Sequence, residues 1–306
     1  MKNDIYIIGA GAIGKALAVF LKLAGRKVIL LRGSLDDKST YFEKIQITSD
    51  DKTELEAEIE ISTLSNFPQL DGIIALTNKS YGNKNLAQAL GKKANSSPVV
   101  ILQNGLGVEQ VFVDNHFPEI YRCVLFVTCQ TIAENKVSFK PVSISPIGII
   151  KRSNTHLNAI VEQLNSPDFQ FKAEQNIQPV IWKKAIINCV FNSICPLLEV
   201  DNGIFHREGR VLEMAKRVIA ECVSIAREKG IILNSDEVTE SLLLISKSSE
   251  GQLISTLQDI KNKRPTEIET LNLEIAAIAK TLNKENLVKE TKLLGELTKL
   301  KSELNQ

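Results

Sequence analysis

The stretch Ile5-Tyr6-Ile7-Ile8-Gly9-Ala10-Gly11-Ala12-Ile13-Gly14 constrains this chain more than any other. An apolar run of strand type leads into three glycines spaced G-x-G-x-x-G. A helical pattern follows at Ala16, Leu17, Phe20 and Leu21, with Gly25 as its stop. Strand, glycine loop and helix in that order form a phosphate cradle. Gly9 allows the tight turn, Gly11 lets the backbone approach a pyrophosphate, and Gly14 lets helix and strand pack closely. The helix then presents its free N–H groups and positive dipole end to the phosphates. A dinucleotide is the expected ligand, with Gly9, Ala10, Gly11, Ala12, Ile13 and Gly14 as its first contacts.

Composition narrows the class. The 306 residues favour two domains. Net charge is +1, which gives no bulk electrostatic case for nucleic acid or an anionic membrane. No apolar run reads as long enough to cross a bilayer, and the N-terminus lacks a signal-peptide layout. Cys123, Cys129, Cys189, Cys195 and Cys222 show no C-x-x-C pairing and read as reduced, mostly buried thiols of a cytoplasmic protein. His116, His156 and His206 are scattered, so no metal site is expected.

In the first half, Lys27–Leu31 reads as the second strand. Its end carries Arg32-Gly33-Ser34 where an NAD site usually has an acid. A cation with a small polar neighbour suits a 2′-phosphate, so NADP is preferred over NAD. Asp36 and Asp37 are the rivals that would restore NAD. Short antiparallel strands are expected at Lys44–Thr48 and Ala57–Ile61. Buried strands are expected at Gly72–Thr77 and Val99–Gln103, with a crossover helix around Leu86, Ala87 and Leu90. Strand and helix alternate, so the fold class is α/β, a Rossmann-like doubly wound sheet. Ligands lie at the carboxyl ends of such strands, where Arg32, Lys79 and Asn104 fall. Further strands are read at Tyr121–Thr128, Lys136–Phe139 and Ser143–Ile150, then a helix at Leu157–Leu164 and a short strand at Phe169–Lys172. The boundary is set at 172/173.

From Gln175 the pattern is helical almost throughout, so residues 173–306 are expected to form an all-α domain. Pro179 suits a first helical turn, and Pro196 ends or kinks that helix. Between them Lys184, Asn188 and Asn192 share one face, because each step of four drifts only about 40° around an α-helix. Apolar residues fill much of the rest, so the stripe is either a groove lining or an exposed face; the apolar content favours burial, where amides and amines need partners. Pro265 is read as opening the next helix, with Glu267 in its first turn. The charged tail from Lys280 to Gln306 is read as a cover for the helical core or an oligomer contact.

Together these residues resemble the ketopantoate reductase (2-dehydropantoate 2-reductase) family. The likeness rests on the glycine loop, the strand ends at Arg32 and Lys79, and Asn104-Gly105-Leu106-Gly107. It continues through Trp182-Lys183-Lys184 with Asn188 and Asn192, Asn202-Gly203, Ser255-x-x-Gln258-Asp259-Ile260 and Arg264-x-Thr266-Glu267-Ile268. The resemblance implies reduction of 2-dehydropantoate to pantoate with NADPH, on the route to pantothenate and coenzyme A. It makes Lys184 the general acid and Glu267 the group that positions it. It gives substrate contacts to Asn188, Asn192, Asn202 and Ser255, and cofactor contacts to Lys79 and Asn104. It also puts Thr131 in a cofactor loop at Thr128–Thr131. The chemistry agrees: hydride addition builds charge on the carbonyl oxygen, which a nearby ammonium stabilises and protonates. The implied partner is a small 2-oxo acid, and the implied assembly is a monomer or homodimer. A reductase of another 2-oxo acid and a non-catalytic dinucleotide sensor stand as alternatives.

Overall fold

The computed structural model describes residues 4–33, 36–151 and 156–305. Ser34, named above with Arg32, lies outside them. The chain separates into two compact units. One comprises Met1–Gln103 with Val108–Ile177, the other Asn104–Gly107 with Gln178–Gln306.

In the first unit the described residues form one eleven-stranded mixed sheet, ordered β11-β10-β7-β6-β5-β1-β2-β4-β3-β9-β8. Its centre is parallel: β1 (Asp4–Ile8) lies between β2 (Lys27–Arg32) and β5 (Gly72–Leu76). β6 (Val99–Ile101) and β7 (Ile120–Cys123) extend it on one side. β1 is apolar on both faces because both are covered. Ile5 and Ile7 join a core with Leu17, Phe20, Val28 and Leu30, while Tyr6 and Ile8 join another with Ile29, Leu31, Ile74 and Leu90. Helix α1 (Ala12–Leu23) packs in the first of these cores. It touches β1, β2, β3 (Tyr41–Ser49), β4 (Glu54–Thr63), β8 (Val127–Ala133) and β9 (Lys136–Pro141). Helix α2 (Asn83–Gly91) contributes Ala87 and Leu90 to the second core, and α3 (Gln110–Asp114) contributes Phe112.

The expected antiparallel pair is β3 with β4, in register from Tyr41 opposite Ile61 to Thr48 opposite Glu54. The single strand expected over Tyr121–Thr128 is two strands. β7 belongs to the middle of the sheet and β8 to its far edge. Between them the Val124 N–H still donates to the Pro146 carbonyl, whereas the Phe126 N–H donates to a side chain, Ser145 Oγ, both at 2.9 Å, so backbone pairing gives out at Phe126. Thr128–Thr131, expected as a loop, is part of β8.

The unit continues past residue 172 because β10 (Ser145–Lys151) pairs in parallel with β11 (Phe171–Ala173), and the Glu174 N–H donates to the Ile147 carbonyl. A Cβ at Gly148 would lie 2.4 Å from that of Ile177, so the chain stays against the sheet up to that residue. Helix α4 (Leu157–Leu164) packs on β10 and β11.

The second unit is helical among the described residues. α5 (Ile177–Leu198) is the helix that carries the Lys/Asn stripe, with Pro179 in its first turn. Pro196 does not end it; the helix runs on to Leu198. α5 also corrects the expectation about membrane-length runs. It has 22 residues and a best-window mean hydropathy of 1.2, enough to cross a bilayer by length and composition. Of that window 72% is buried inside the protein, and Ile186, Cys189 and Val190 are inaccessible. Around it lie α6 (Ile204–Arg207), α7 (Gly209–Glu228), α8 (Ser235–Ser248), α9 (Ser255–Lys261), α10 (Asn272–Thr281) and α11 (Lys289–Leu304).

Candidate active site

The three glycines of the loop meet different constraints. Gly9 has φ +118°, and a Cβ on it would lie 2.5 Å from the Asn78 nitrogen. A Cβ on Gly14 would lie 1.9 Å from the Gly9 carbonyl oxygen, so only glycine lets α1 start this close to the loop. At Gly11 a Cβ would meet nothing within 4 Å. The protein's own packing leaves that position open, which is the expected state of a backbone that a pyrophosphate approaches. Gly11 is the N-cap of α1. No side chain caps the helix, and its first turn carries no acid. The N-terminal N–H groups are therefore arranged as an anion site.

The carboxyl ends of β5 and β6 support this loop with amides that sequence reasoning did not single out. Thr77 Oγ1 donates to the carbonyls of Gly9 at 2.9 Å and Ile8 at 3.2 Å. Gln103 and Asn83 exchange hydrogen bonds at 2.7 and 2.8 Å, and Gln103 Nε2 also reaches the Asn78 carbonyl at 2.8 Å. Asn78 Nδ2 donates to the Lys79 carbonyl at 3.0 Å. Asn78 Oδ1 is buried with no hydrogen-bond partner among the described residues. A buried acceptor of this kind suits a hydroxyl or amide of a ligand on the glycine loop. Lys79 is half-buried at the entry to the turn Ser80–Gly82. Thr131 is exposed on β8.

Arg32 ends β2, and Asp37 grips its guanidinium. Nη1 and Nη2 reach the two carboxylate oxygens at 3.1 and 2.6 Å. Nη2 also meets the Ser39 carbonyl at 3.0 Å, and the Tyr41 ring centroid lies 5.5 Å from the guanidinium carbon. The Arg32 guanidinium and the Ser39 donors hold the Asp37 carboxyl well below the usual carboxylate range. Asp36 is separately bound by Ser65, whose hydroxyl is the first cause of its lowered pKa.

In the second unit, Lys184 and Asn188 are half-buried on α5, one turn apart. Asn192 follows them and is only 4% exposed. Its Nδ2 donates to the Asn188 carbonyl at 3.1 Å. Its Oδ1 accepts from the Thr256 hydroxyl at 2.7 Å, the Ser255 hydroxyl at 3.2 Å and the Thr256 N–H at 3.3 Å. Asn192 thus caps α9 from a different helix and docks exposed Ser255 beside the α5 stripe. Asn202 is buried. Its N–H donates to the Gln252 carbonyl at 2.9 Å, and its carbonyl accepts from Ser246 Oγ at 2.7 Å. Its side-chain Oδ1 is buried with no partner among the described residues. Beside it Asp201 is clamped by Arg207 and by the Gly251 N–H, which hold its carboxyl down to about 2.

Glu267 does not sit in a helical first turn after Pro265; it immediately precedes a 3-10 turn, Ile268–Thr270. The Thr270 N–H and hydroxyl donate back to the Glu267 carbonyl at 3.1 and 3.0 Å. The Thr270 carbonyl accepts from the Leu106 N–H of another segment at 2.8 Å, and the next helix, α10, begins only at Asn272. That segment is Asn104–Gly107, which packs with the helical unit although its neighbours in sequence belong to the sheet. Gly105 has φ +94°, and a Cβ there would lie 2.3 Å from Thr270 Oγ1. Asn104, exposed, therefore shares a unit with Lys184 and Glu267.

Residues 5–163 match the model of "Ketopantoate reductase PanE/ApbA", and residues 176–301 match that of its C-terminal domain. The chain belongs to the ketopantoate reductase family. The 2-dehydropantoate 2-reductase of Pyrococcus abyssi is 28% identical over 287 residues, 92% of each chain. That of Streptococcus pyogenes serotype M3 is 27% identical over 274 residues, 88% of each. The same fold is seen in a PanE/ApbA family ketopantoate reductase from Ralstonia eutropha JMP134, with TM-score 0.85, 21% identity and 99% of both chains covered. D-mandelate dehydrogenase in complex with NADH and anilino(oxo)acetate shares it at TM-score 0.84, with 22% identity and 99% of both chains. A dimeric ketopantoate reductase from Staphylococcus aureus shares it at TM-score 0.82, with 17% identity over 99% of this chain and 100% of that one. A ketopantoate reductase is an oxidoreductase that acts on a small keto acid with a nicotinamide dinucleotide.

Proposed function

We propose that this chain reduces 2-dehydropantoate to pantoate with NADPH, in the cytoplasm, as a step toward pantothenate. The observation that carries the reading is the polar face of α5. Lys184 and Asn188 stand half-buried in a row, and Asn192 ties Ser255 to the same row. The nicotinamide, when bound, supplies the hydride. This chain's residues do the rest. The Lys184 ammonium donates a proton to the carbonyl oxygen as charge builds there, and the 2-oxo group becomes a 2-hydroxy group. The Asn188 amide donates to the substrate's carboxylate, while Ser255 Oγ and Asn202 Oδ1, which has no partner among the described residues, accept from its hydroxyl groups. Neutral donors suit this because they bind an anion without cancelling the lysine's charge. Asn192 serves by fixing Ser255, and Glu267 positions the lysine. Arg32 favours the 2′-phosphate of NADPH, while Lys79, Asn104 and Thr131 add cofactor contacts.

The test is to follow oxidation of NADPH and of NADH with a panel of 2-oxo acids that includes 2-dehydropantoate. The reading expects 2-dehydropantoate with NADPH to give the highest kcat/KM. A preference for another 2-oxo acid would favour the second reading, a paralogue with the same lysine chemistry, for which the Thr-Cys-Gln-Thr sequence at Thr128–Thr131 leaves room. Turnover with none would leave a dinucleotide sensor.

We extend the proposal to a homodimer. α11 turns Thr291, Gly295, Thr298 and Ser302 inward, while Leu293, Leu297, Leu300 and Leu304 are exposed. The leucines recur at intervals of four, three and four, the spacing of a helix seam, and the Staphylococcus aureus relative is dimeric.

A further inference from the structure

The Arg32 guanidinium, which the proposed function assigns to the coenzyme's 2′-phosphate, already holds an anion. Asp37 takes it with both carboxylate oxygens, at 3.1 and 2.6 Å. Ser39 fixes that carboxylate: its N–H and its hydroxyl both donate to Asp37 Oδ1 at 2.9 Å. The Arg32 side chain is 14% exposed and that of Asp37 is 42% exposed, so the carboxylate forms the outer wall of the pair. Arg32 Nη2 also donates to the Ser39 carbonyl at 3.0 Å and the Ser39 hydroxyl at 2.6 Å, so the protein already holds the guanidinium beside Asp37. A 2′-phosphate and the Asp37 carboxylate both require the outward fork of the guanidinium, and both are anions. A ribose with a 2′-hydroxyl brings no charge and meets no such conflict.

We infer that Asp37 is a resident counter-ion in the 2′-phosphate subsite, and that it sets how far the protein discriminates NADPH from NADH. It occupies the arginine in the absence of coenzyme and repels or must yield to the phosphate when NADPH binds. NADPH therefore loses part of the gain Arg32 offers, and NADH is left as a usable coenzyme. The inference rests on the dinucleotide reading of the glycine loop.

The experiment is calorimetric titration of the full chain with NADPH, NADH and 2′,5′-ADP, for the wild type, Asp37→Asn, Arg32→Ala and the double variant. Asparagine keeps the shape of Asp37 and removes its charge. The expected result is that D37N tightens NADPH and 2′,5′-ADP by about tenfold while NADH changes little. In the Arg32→Ala background D37N should lose most of that effect. If D37N does not fold, judged by its melting profile, Asp37→Ser is read the same way. Unchanged or weaker NADPH binding in a folded D37N protein that still binds NADH would overturn the inference and leave Asp37 as a mere prop for Arg32. No binding of any of the three ligands to the wild type would bring down the dinucleotide reading and this inference with it.

Discussion

Single residues in the glycine loop separate folding from binding. At Gly14 a Cβ would clash with the Gly9 carbonyl at 1.9 Å, whereas at Gly11 it meets nothing within 4 Å. Gly11 also has φ −80°, which alanine adopts freely. Gly14→Ala should therefore lower the melting temperature, while Gly11→Ala should melt like the wild type and bind NADPH more weakly. Equal melting and equal affinity for both variants would argue against a phosphate over Gly11. Gly9, Gly11 and Gly14 were legible from spacing alone. Thr77 and Asn78 were not, because a Thr-Asn pair at a strand end is common and its role arises from contact with a loop about seventy residues away. The Arg32–Asp37 pair was half legible. Both residues stood as rival determinants, but only the fold shows that they bind each other.

At the scale of elements, α5 and α9 depend on one amide. Asn192 Oδ1 satisfies the buried Thr256 N–H and hydroxyl. Asn192→Ala would strand them, at a cost of about 1–3 kcal/mol. A lower melting temperature with a raised KM is expected, since Ser255 is released with α9; an unchanged melting curve would contradict the cap. Acid should loosen the neighbouring segment. Asp201 is held at about 2 by Arg207, against an unfolded value of about 3.9. A lowered carboxyl contributes stability that is complete above the unfolded value and is lost as pH falls through the folded one. Stability should thus drop between about pH 4 and about pH 2, and the drop should be shallower in Asp201→Asn. Sequence pattern found most elements because period and punctuation were clear, as in the antiparallel pair β3–β4. It failed over Tyr121–Thr128, an apolar run without glycine or proline, where distant pairing partners decide that the strand must break. It also missed the 3-10 turn after Glu267, which ends at Leu271, where φ −115° and ψ −107° leave the helical region.

For the whole molecule, two units with different chemistry were legible, since strand alternation gives way to helical period near Gln175. The excursion of Asn104–Gly107 into the helical unit was not. An Asn-Gly pair after a strand reads as an ordinary turn; the Leu106–Thr270 hydrogen bond and the missing side chain of Gly105 against Thr270 reveal where it packs. The outward leucines of α11 predict self-association: sedimentation velocity should find a dimer, and Leu297→Glu should shift it toward monomer. A monomer at micromolar concentration would remove that assembly. The central claim concerns one ammonium, and one comparison tests it. NADPH oxidation with 2-dehydropantoate is measured for the wild type and Lys184→Ala, alongside NADPH affinity. Turnover should fall by at least about 100-fold with affinity retained, the usual scale for a lost general acid. Full turnover in Lys184→Ala would contradict it.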